Sequence, residues 1–543
     1  MTDRCFLGFD VGTGSVRAGL FDAAGVLIAS ATQAIRIWRE AGDRVEQSSD
    51  DIWRAVSRCT GAVLEQAGLT GARVAGIGFD ATCSLVVLGA GGVPLPVGAH
   101  GDPARNIIVW MDHRATPQAQ RINATGHPVL AYLGGRISPE METPKLLWLK
   151  ENLPETWSKA WQFMDLADFL TWRATGSLTR SICTVTCKWT YLAHDARWDA
   201  GYFQQIGLDD LAEEGFVRIG TDIQPAGTPL ARGLSEQAAA DLGLVPGIPV
   251  GVGLIDAHAG GIGSLGAGAE TRMAYVMGTS ACTMASSARP RFIPGVWGPY
   301  LSAMVPGLWL SEGGQSSAGA AIEQVLALHP ASPDLRAEAD AAGMALPDFL
   351  ADQAAEAAGS LSAAVGLAGG MIVIPDFLGN RAPHADPQAR GLIAGLDMAR
   401  DVESLIALYV ATLTGLGYGL RQIIAASRAQ GAQIEAIVLS GGAGRHPLVR
   451  QLLADAADLP VEIPGCPEPV LLGAAILGAT AAGTYPDVRV AMAAMSHRES
   501  RILPAGGAIA ALHAARFEAF ETLQRAETKA RNLMAAARNG ETR

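Results

Sequence analysis

Lysine is nearly missing from this chain: five residues stand against 36 arginines in 543. None of the five lies in a G-x4-G-K-[ST] loop, which excludes a P-loop nucleotidase. No G-x-G-x-x-G ends a strand and opens a helix, so dinucleotide binding has no support. Charged residues make up only 17%, and the net charge of −12 argues against nucleic acid or an anionic membrane as a main partner. The seven cysteines are scattered and odd in number, with Cys183-x3-Cys187 the closest pair and no second pair beside it. Neither a disulfide framework nor a zinc site follows, and a reducing compartment, the cytoplasm, is the expected setting. The start "MTDRCFLGFD" lacks the basic residues and apolar stretch of a signal peptide. The uncharged run from Pro469 to Pro486 raises a membrane span, but its Ala and Gly content and flanking prolines predict a tightly packed internal helix. At this length, with 49% hydrophobic residues, two large globular domains are the default.

What is present begins with "FDVGTGSVRAGLFD". Two short apolar runs, "CFLGFD" and "VRAGLF", read as strands around a glycine turn. Gly12 and Gly14 leave backbone amides bare, and successive amides aimed into a turn suit a phosphate. Thr13 adds a hydroxyl. Asp10 would repel a naked phosphate, so it fits there only with a bridging cation such as Mg2+. Taken alone, the stretch reads equally well as an ordinary hairpin. A third strand at "VLIASAT", a helix carrying Ile52, Trp53, Val56, Val63 and Leu64, and a buried strand at "VAGIGFDA" complete a β-β-β-α-β order. "RMAYVM", a "GTSA" turn and "CTMASSA" repeat the opening in outline, and "IEAIVLSGG" runs into a Gly-rich turn and a helix. Two similar halves suggest duplication, with a cleft between them and a boundary near residues 260–268. Ala- and Asp-rich helices are expected over 334–370, and from Ile509 a helix running into a charged tail.

Several polar groups stand at predicted strand ends, where α/β proteins bind ligands. Asp256, at the end of "IPVGVGLID", is placed to act as a base or to cap the next helix. Glu312 and Gln315 in "LWLSEGGQSS" would hydrogen-bond hydroxyls or cap a helix. Asp80 and Asp112 also follow apolar runs. Lys188, inside the strand-like run "TVTCKWTYL", needs a polar partner, or else snorkels at the core edge. A polyol is the natural guest for such a set.

With these residues in view, the sequence resembles the FGGY carbohydrate kinases of the actin and heat-shock ATPase superfamily, from about Cys5 to Val488. "GFDVGTGSVRAGLFD" resembles the family's first phosphate hairpin, "ETPKLLWLKENLPETW" its first signature, and "MGTSAC" its second phosphate turn. "LSGGAGRHPLVRQLLADAADLPVEIP" with "EPVLLGAAILGATAAG" resembles the second signature and adenosine side. "GNRAPHADPQARG" resembles a loop of the second domain. The resemblance implies an α/β fold of two ribonuclease-H-like domains facing a central cleft: an N-terminal domain over 1–262, a C-terminal domain over 263–500, and a helix and tail over 501–543.

It further implies phosphorylation of a sugar hydroxyl by ATP with Mg2+. Asp10 falls at the Mg2+-associated carboxylate and Asp256 at the catalytic base. Gly12, Thr13, Gly14, Ser15 and Arg17, with Gly278 and Thr279, fall at the phosphate turns. Gly441 and Gly442 fall at the adenosine turn, where His446 replaces an asparagine of several relatives. "DATCS", "WMDHRA", "CKW" and "DAHAG" look like the ribulose-kinase branch, its D-ribulose members above all. There Thr82, Cys83, Asp112, Lys188, Glu312 and Gln315 would face the sugar. L-ribulose, D-xylulose or ribitol as substrate, and a sugar-free actin-like ATPase, are the competing readings. The expected partners are a small sugar and MgATP, and a homodimer is compatible with them.

Overall fold

The computed structural model describes residues 4–41, 43–230 and 232–538. The last five residues of the expected tail lie outside them. The opening run folds as anticipated into β1 (Cys5–Val11), β2 (Ser15–Phe21) and β3 (Leu27–Ala34), an antiparallel meander. Ser48 caps α1 (Ser49–Ala67) by accepting from the Asp51 amide, and Gly68 ends the helix in the left-handed conformation. The helix lays Ile52, Trp53, Val56 and Val63 into the core. The chain then returns as β4 (Val74–Ala81), parallel to β1, and later adds β5 (Leu254–Ile255) beside β4. The first sheet therefore runs β5-β4-β1-β2-β3.

The second half repeats this plan. β6 (Arg272–Met277) and β7 (Ala281–Ser287) form the antiparallel hairpin, extended by β8 (Trp297–Leu301) and β9 (Trp309–Gln315). On the other side β10 (Ala436–Ser440) lies parallel to β6, followed by β11 (Val461–Pro464) and β12 (Arg498–Ile502). The order is β8-β9-β7-β6-β10-β11-β12. Helices at Ser332–Ala341 and Leu346–Ala358 occupy the Ala-rich segment as expected. A further five-stranded sheet in the first half was not foreseen. Its pieces, such as Ile107–Ile108 and Arg44–Gln47, are too short to announce themselves and exist through their pairing.

Two helices exchange sides. α2 (Asp256–Leu265) follows β5 of the first sheet but reaches β6 and β10 of the second. α3 (Pro469–Ala481) follows β11 of the second sheet but lies on β1 and β4 of the first. The two helices pack on each other at backbone distance. A Cβ at Gly473 would overlap the Ala259 carbonyl, and one at Gly263 the Pro469 carbonyl. The uncharged run 469–486 is thus largely this interdomain helix, buried from Leu471 to Ala479. α4 (Val402–Ala429) has the length and apolarity to cross a membrane, yet 72% of its most apolar window is buried inside the fold. Because overpacking at such a crossing costs roughly 1–3 kcal/mol or more, Gly473→Val should lower the denaturation midpoint in a urea melt.

Candidate functional site

Parallel pairing sets the first half of the site. Asp10 on β1 and Asp80 on β4 are register partners, and Asp80 is in turn the partner of Leu254 on β5, two residues before Asp256. Three carboxylates therefore stand at the carboxyl ends of three adjacent parallel strands. Asp80 is fully buried and neither of its oxygens has a hydrogen-bond partner. Burial, then the charges of Asp10 and Asp256, push its carboxyl well above the usual range. Burial and the Asp10 charge also raise Asp256, to about 6, against the Ala257 N–H that its Oδ1 accepts. Arg17, the cross-strand partner of Asp10, donates from Nε to Asp10 Oδ2 at 2.8 Å and from Nη1 to Glu468 Oε2 at 2.6 Å. One guanidinium among three converging carboxylates leaves an excess of negative charge and an orphaned acid. That donor set fits a divalent cation.

The opposite end of the cavity carries the reverse balance. Lys188 ends a short helix over Ile182–Lys188, and not the strand its β-branched run suggested. The Ser181 hydroxyl caps that helix by accepting from the Cys183 amide. Lys188 Nζ lies 3.8 Å from Glu312 Oε1 and 4.8 Å from the centre of the Trp297 ring, and Trp297 is the register partner of Glu312 across β8 and β9. Burial opposes both charges, but each offsets the other. Glu312, with His258 also beside it, is held down at about 2, and Lys188 is raised well above its ordinary value. Thus Lys188 is no snorkelling surface residue, because its ammonium points inward to a carboxylate.

Both ends belong to one cavity of about 370 Å³. It gathers Asp10, Gly12, Thr13, Arg17, Thr82, Cys83, Lys188, Asp256 and Glu312 from the expected set. The first turn keeps its hairpin form, with the Gly12 amide donating to the Ser15 carbonyl at 3.0 Å. Gly14 and Ser15 flank this lining without entering it. The second turn contributes through Val276 and Ser280 in place of Gly278 and Thr279. Gly441 and Gly442 end β10 outside the cavity. Gly441 has φ +97° and presses on the Met277 backbone, so no side chain fits there.

Two expectations, Asp112 and Gln315, are corrected, and a third residue, His446, makes its contacts within the fold. Asp112 does not line the cavity: it is fully buried, accepts from Arg114 Nη2 at 2.7 Å and from the Val45 amide at 2.6 Å, and so holds a loop. Gln315 is turned away, its Oε1 accepting from the Tyr275 hydroxyl at 2.6 Å and its Nε2 donating to the Leu416 carbonyl. His446 caps the helix Pro447–Ala457, Nδ1 accepting from the Leu448 amide, with Nε2 at 3.1 Å from Asp352. In each case a nearer partner inside the fold takes the polar atoms.

Sequence reasoning missed Trp110, Glu140, Trp297 and Arg381, which also line the cavity. The Trp110 indole donates to the Thr13 hydroxyl at 3.0 Å, fixing the first turn. Trp110 and Arg381 sit inside stretches already singled out, "WMDHRA" and "GNRAP", and were within reach. Trp297 had no signal, since its place depends on β8 pairing with β9.

Paired ribonuclease-H-like domains with glycine turns and an aspartate in a shared cleft define the actin-like class of two-domain α/β phosphotransferases. Models of the FGGY family of carbohydrate kinases match this chain, the N-terminal domain over residues 5–263 and the C-terminal domain over 273–482. The chain belongs to that family and is a carbohydrate kinase. It is 45% identical over 520 residues to an FGGY carbohydrate kinase domain-containing protein of Homo sapiens, with 92% of this chain and 93% of that one covered. It is 36% identical over 521 residues to a D-ribulokinase of Saccharomyces cerevisiae, covering 90% and 73%. The ligand-bound xylulose kinase of Lactobacillus acidophilus superposes with a TM-score of 0.78 at 20% identity, covering 96% and 98%, a likeness of fold.

The corrected role of Asp112 has a measurable consequence. Asp112→Ala leaves Arg114 with fewer anions in the interior, and breaking a buried pair costs roughly 3–5 kcal/mol. A lowered melting temperature with little change in sugar KM is expected in the folded fraction.

Proposed function

We propose that this kinase transfers the γ-phosphoryl group of ATP to a terminal hydroxyl of a ketopentose, D-ribulose first. The observation that carries the reading is a single cavity lined by Asp256 together with the Asp10 hairpin and the Lys188–Glu312 pair. Similarity to a D-ribulokinase over most of both chains favours D-ribulose among the pentuloses. The glycine turns of the two domains, divided near residue 263, would hold the phosphates. Thr82 and Cys83 would border the sugar, and Lys188 and Glu312 would grip its hydroxyls. Asp10, with Asp80 behind it, would hold Mg2+, which would supply positive charge against the transferring phosphate.

Asp256 takes the proton of the attacking hydroxyl. The hydroxyl oxygen bonds to the γ-phosphorus, the bond to the β-phosphate oxygen breaks, and ADP leaves. A base at about 6 is ionised at neutral pH yet basic enough to accept a proton. Closure of the cleft would exclude water as a rival acceptor.

Removing a general base costs about 10²–10⁴ in rate. Asp256→Asn is therefore expected to lose sugar phosphorylation by that factor while calorimetry still registers ATP binding; near-normal turnover would remove Asp256 from its role. In the wild type, kcat/KM should fall about tenfold per pH unit below pH 6, as the base of the free enzyme becomes protonated. Among D-ribulose, L-ribulose, D-xylulose and ribitol in an ADP-release assay, D-ribulose should give the highest kcat/KM. ATP turnover indifferent to every polyol would instead indicate a sugar-free ATPase.

A further inference from the structure

Behind the sugar end of the cavity a line of buried side chains joins the two halves of the molecule. Cys183 Sγ lies 2.9 Å from His258 Nδ1, His258 Nε2 lies 3.3 Å from Glu312 Oε2, and Glu312 Oε1 faces Lys188 at 3.8 Å. His258 is 1% exposed and does not reach the cavity, whereas Lys188 and Glu312 both line it. His258 stands two residues after Asp256 on α2, and Glu312 belongs to the second sheet.

Cys183, Cys187 and His258 bring ligand atoms within 4.8 Å of one another, a set that could hold a soft metal. The distances favour another arrangement. Around tetrahedral zinc, sulfur at about 2.3 Å and nitrogen at about 2.0 Å from the metal stand roughly 3.5 Å apart. A separation of 2.9 Å is a direct contact. His258 Nε2 faces an ionised carboxylate and so carries a ring hydrogen, while Nδ1 lies in contact with the Cys183 sulfur.

The Lys188–Glu312 spacing then acquires a meaning. A relaxed ammonium–carboxylate hydrogen bond is about 2.7–2.9 Å long. At 3.8 Å this pair is held open, with His258 drawing on one end and the Trp297 face lying against the other. An open pair leaves donors and acceptors directed at the cavity, where hydroxyls can bridge them. A closed pair would spend them on each other.

We propose that His258 is a positioning residue that keeps Glu312 from collapsing onto Lys188, so that both stay free to grip the sugar. This rests on the reading of Lys188 and Glu312 as the sugar subsite. The test uses the full-length enzyme with D-ribulose and ATP, comparing His258→Ala with His258→Gln, whose amide restores a donor towards Glu312. His258→Ala should raise the sugar KM about tenfold or more, the worth of one charge-assisted hydrogen bond, with kcat within about threefold and the ATP KM unchanged. His258→Gln should recover most of the sugar KM. If His258→Ala does not fold, His258→Met keeps the volume without a donor and serves in its place. An unchanged sugar KM, equal damage in the Gln variant, or one zinc per purified chain would overturn the proposal. Lys188→Ala with an unaltered sugar KM would instead remove the subsite, and this proposal with it.

Discussion

The site depends first on the contact between α2 and α3. Each helix begins at the end of a strand in one sheet and packs on the other sheet, and their backbones meet at Gly263 and Gly473. No side chain separates them, so the two sheets are held at a fixed spacing. With that spacing set, the carboxyl ends of β1, β4 and β5 face the second-domain strands that carry Val276, Ser280 and Glu312 across one cavity. Small residues in α3 therefore serve geometry directly, since bulk there would push the halves of the site apart.

Within that frame the cavity is divided electrostatically. At one end burial and the Asp10 charge raise the Asp80 and Asp256 carboxyls, Asp256 to about 6. At the other end a buried lysine and histidine pull Glu312 down to about 2 and keep it ionised. Carboxyl groups in one cavity thus acquire different proton affinities because of what lies beside them. The tryptophans are part of this division. Trp110 fixes the first glycine turn, and Trp297 lies against Lys188.

Several polar residues near the cleft have purely internal duties. Asp112, Glu46 and Arg114 form a buried ion network, with Glu46 Oε1 and Asp112 Oδ2 both accepting from Arg114 Nη2. Gln315 joins β9 to α4 through the Leu416 carbonyl, and His446 closes a helix end. Their types and strand-end positions match those of ligand-binding residues, and only the direction of each side chain separates the two roles. A strand-end acid follows from local pattern, whereas the partner it selects is set by distant elements.

The primary structure by itself determined the duplicated plan, the two hairpins with their bare-amide turns, the buried return strands, the packed internal helix at 469–481, and Asp10 and Asp256 as acids at element ends; Glu312, expected at a strand-to-helix turn, lies inside β9. These follow from hydrophobic period, glycine placement and composition, all of them local properties. The tertiary structure alone decided that Lys188 ends a helix and not a strand, because a short β-branched run between turns satisfies either periodicity. It alone brought His258, Cys183 and Trp297 behind the Lys188–Glu312 pair, and it turned Asp112 and Gln315 inward. Those outcomes come from register between strands and packing between helices hundreds of residues apart, and no local pattern carries that information.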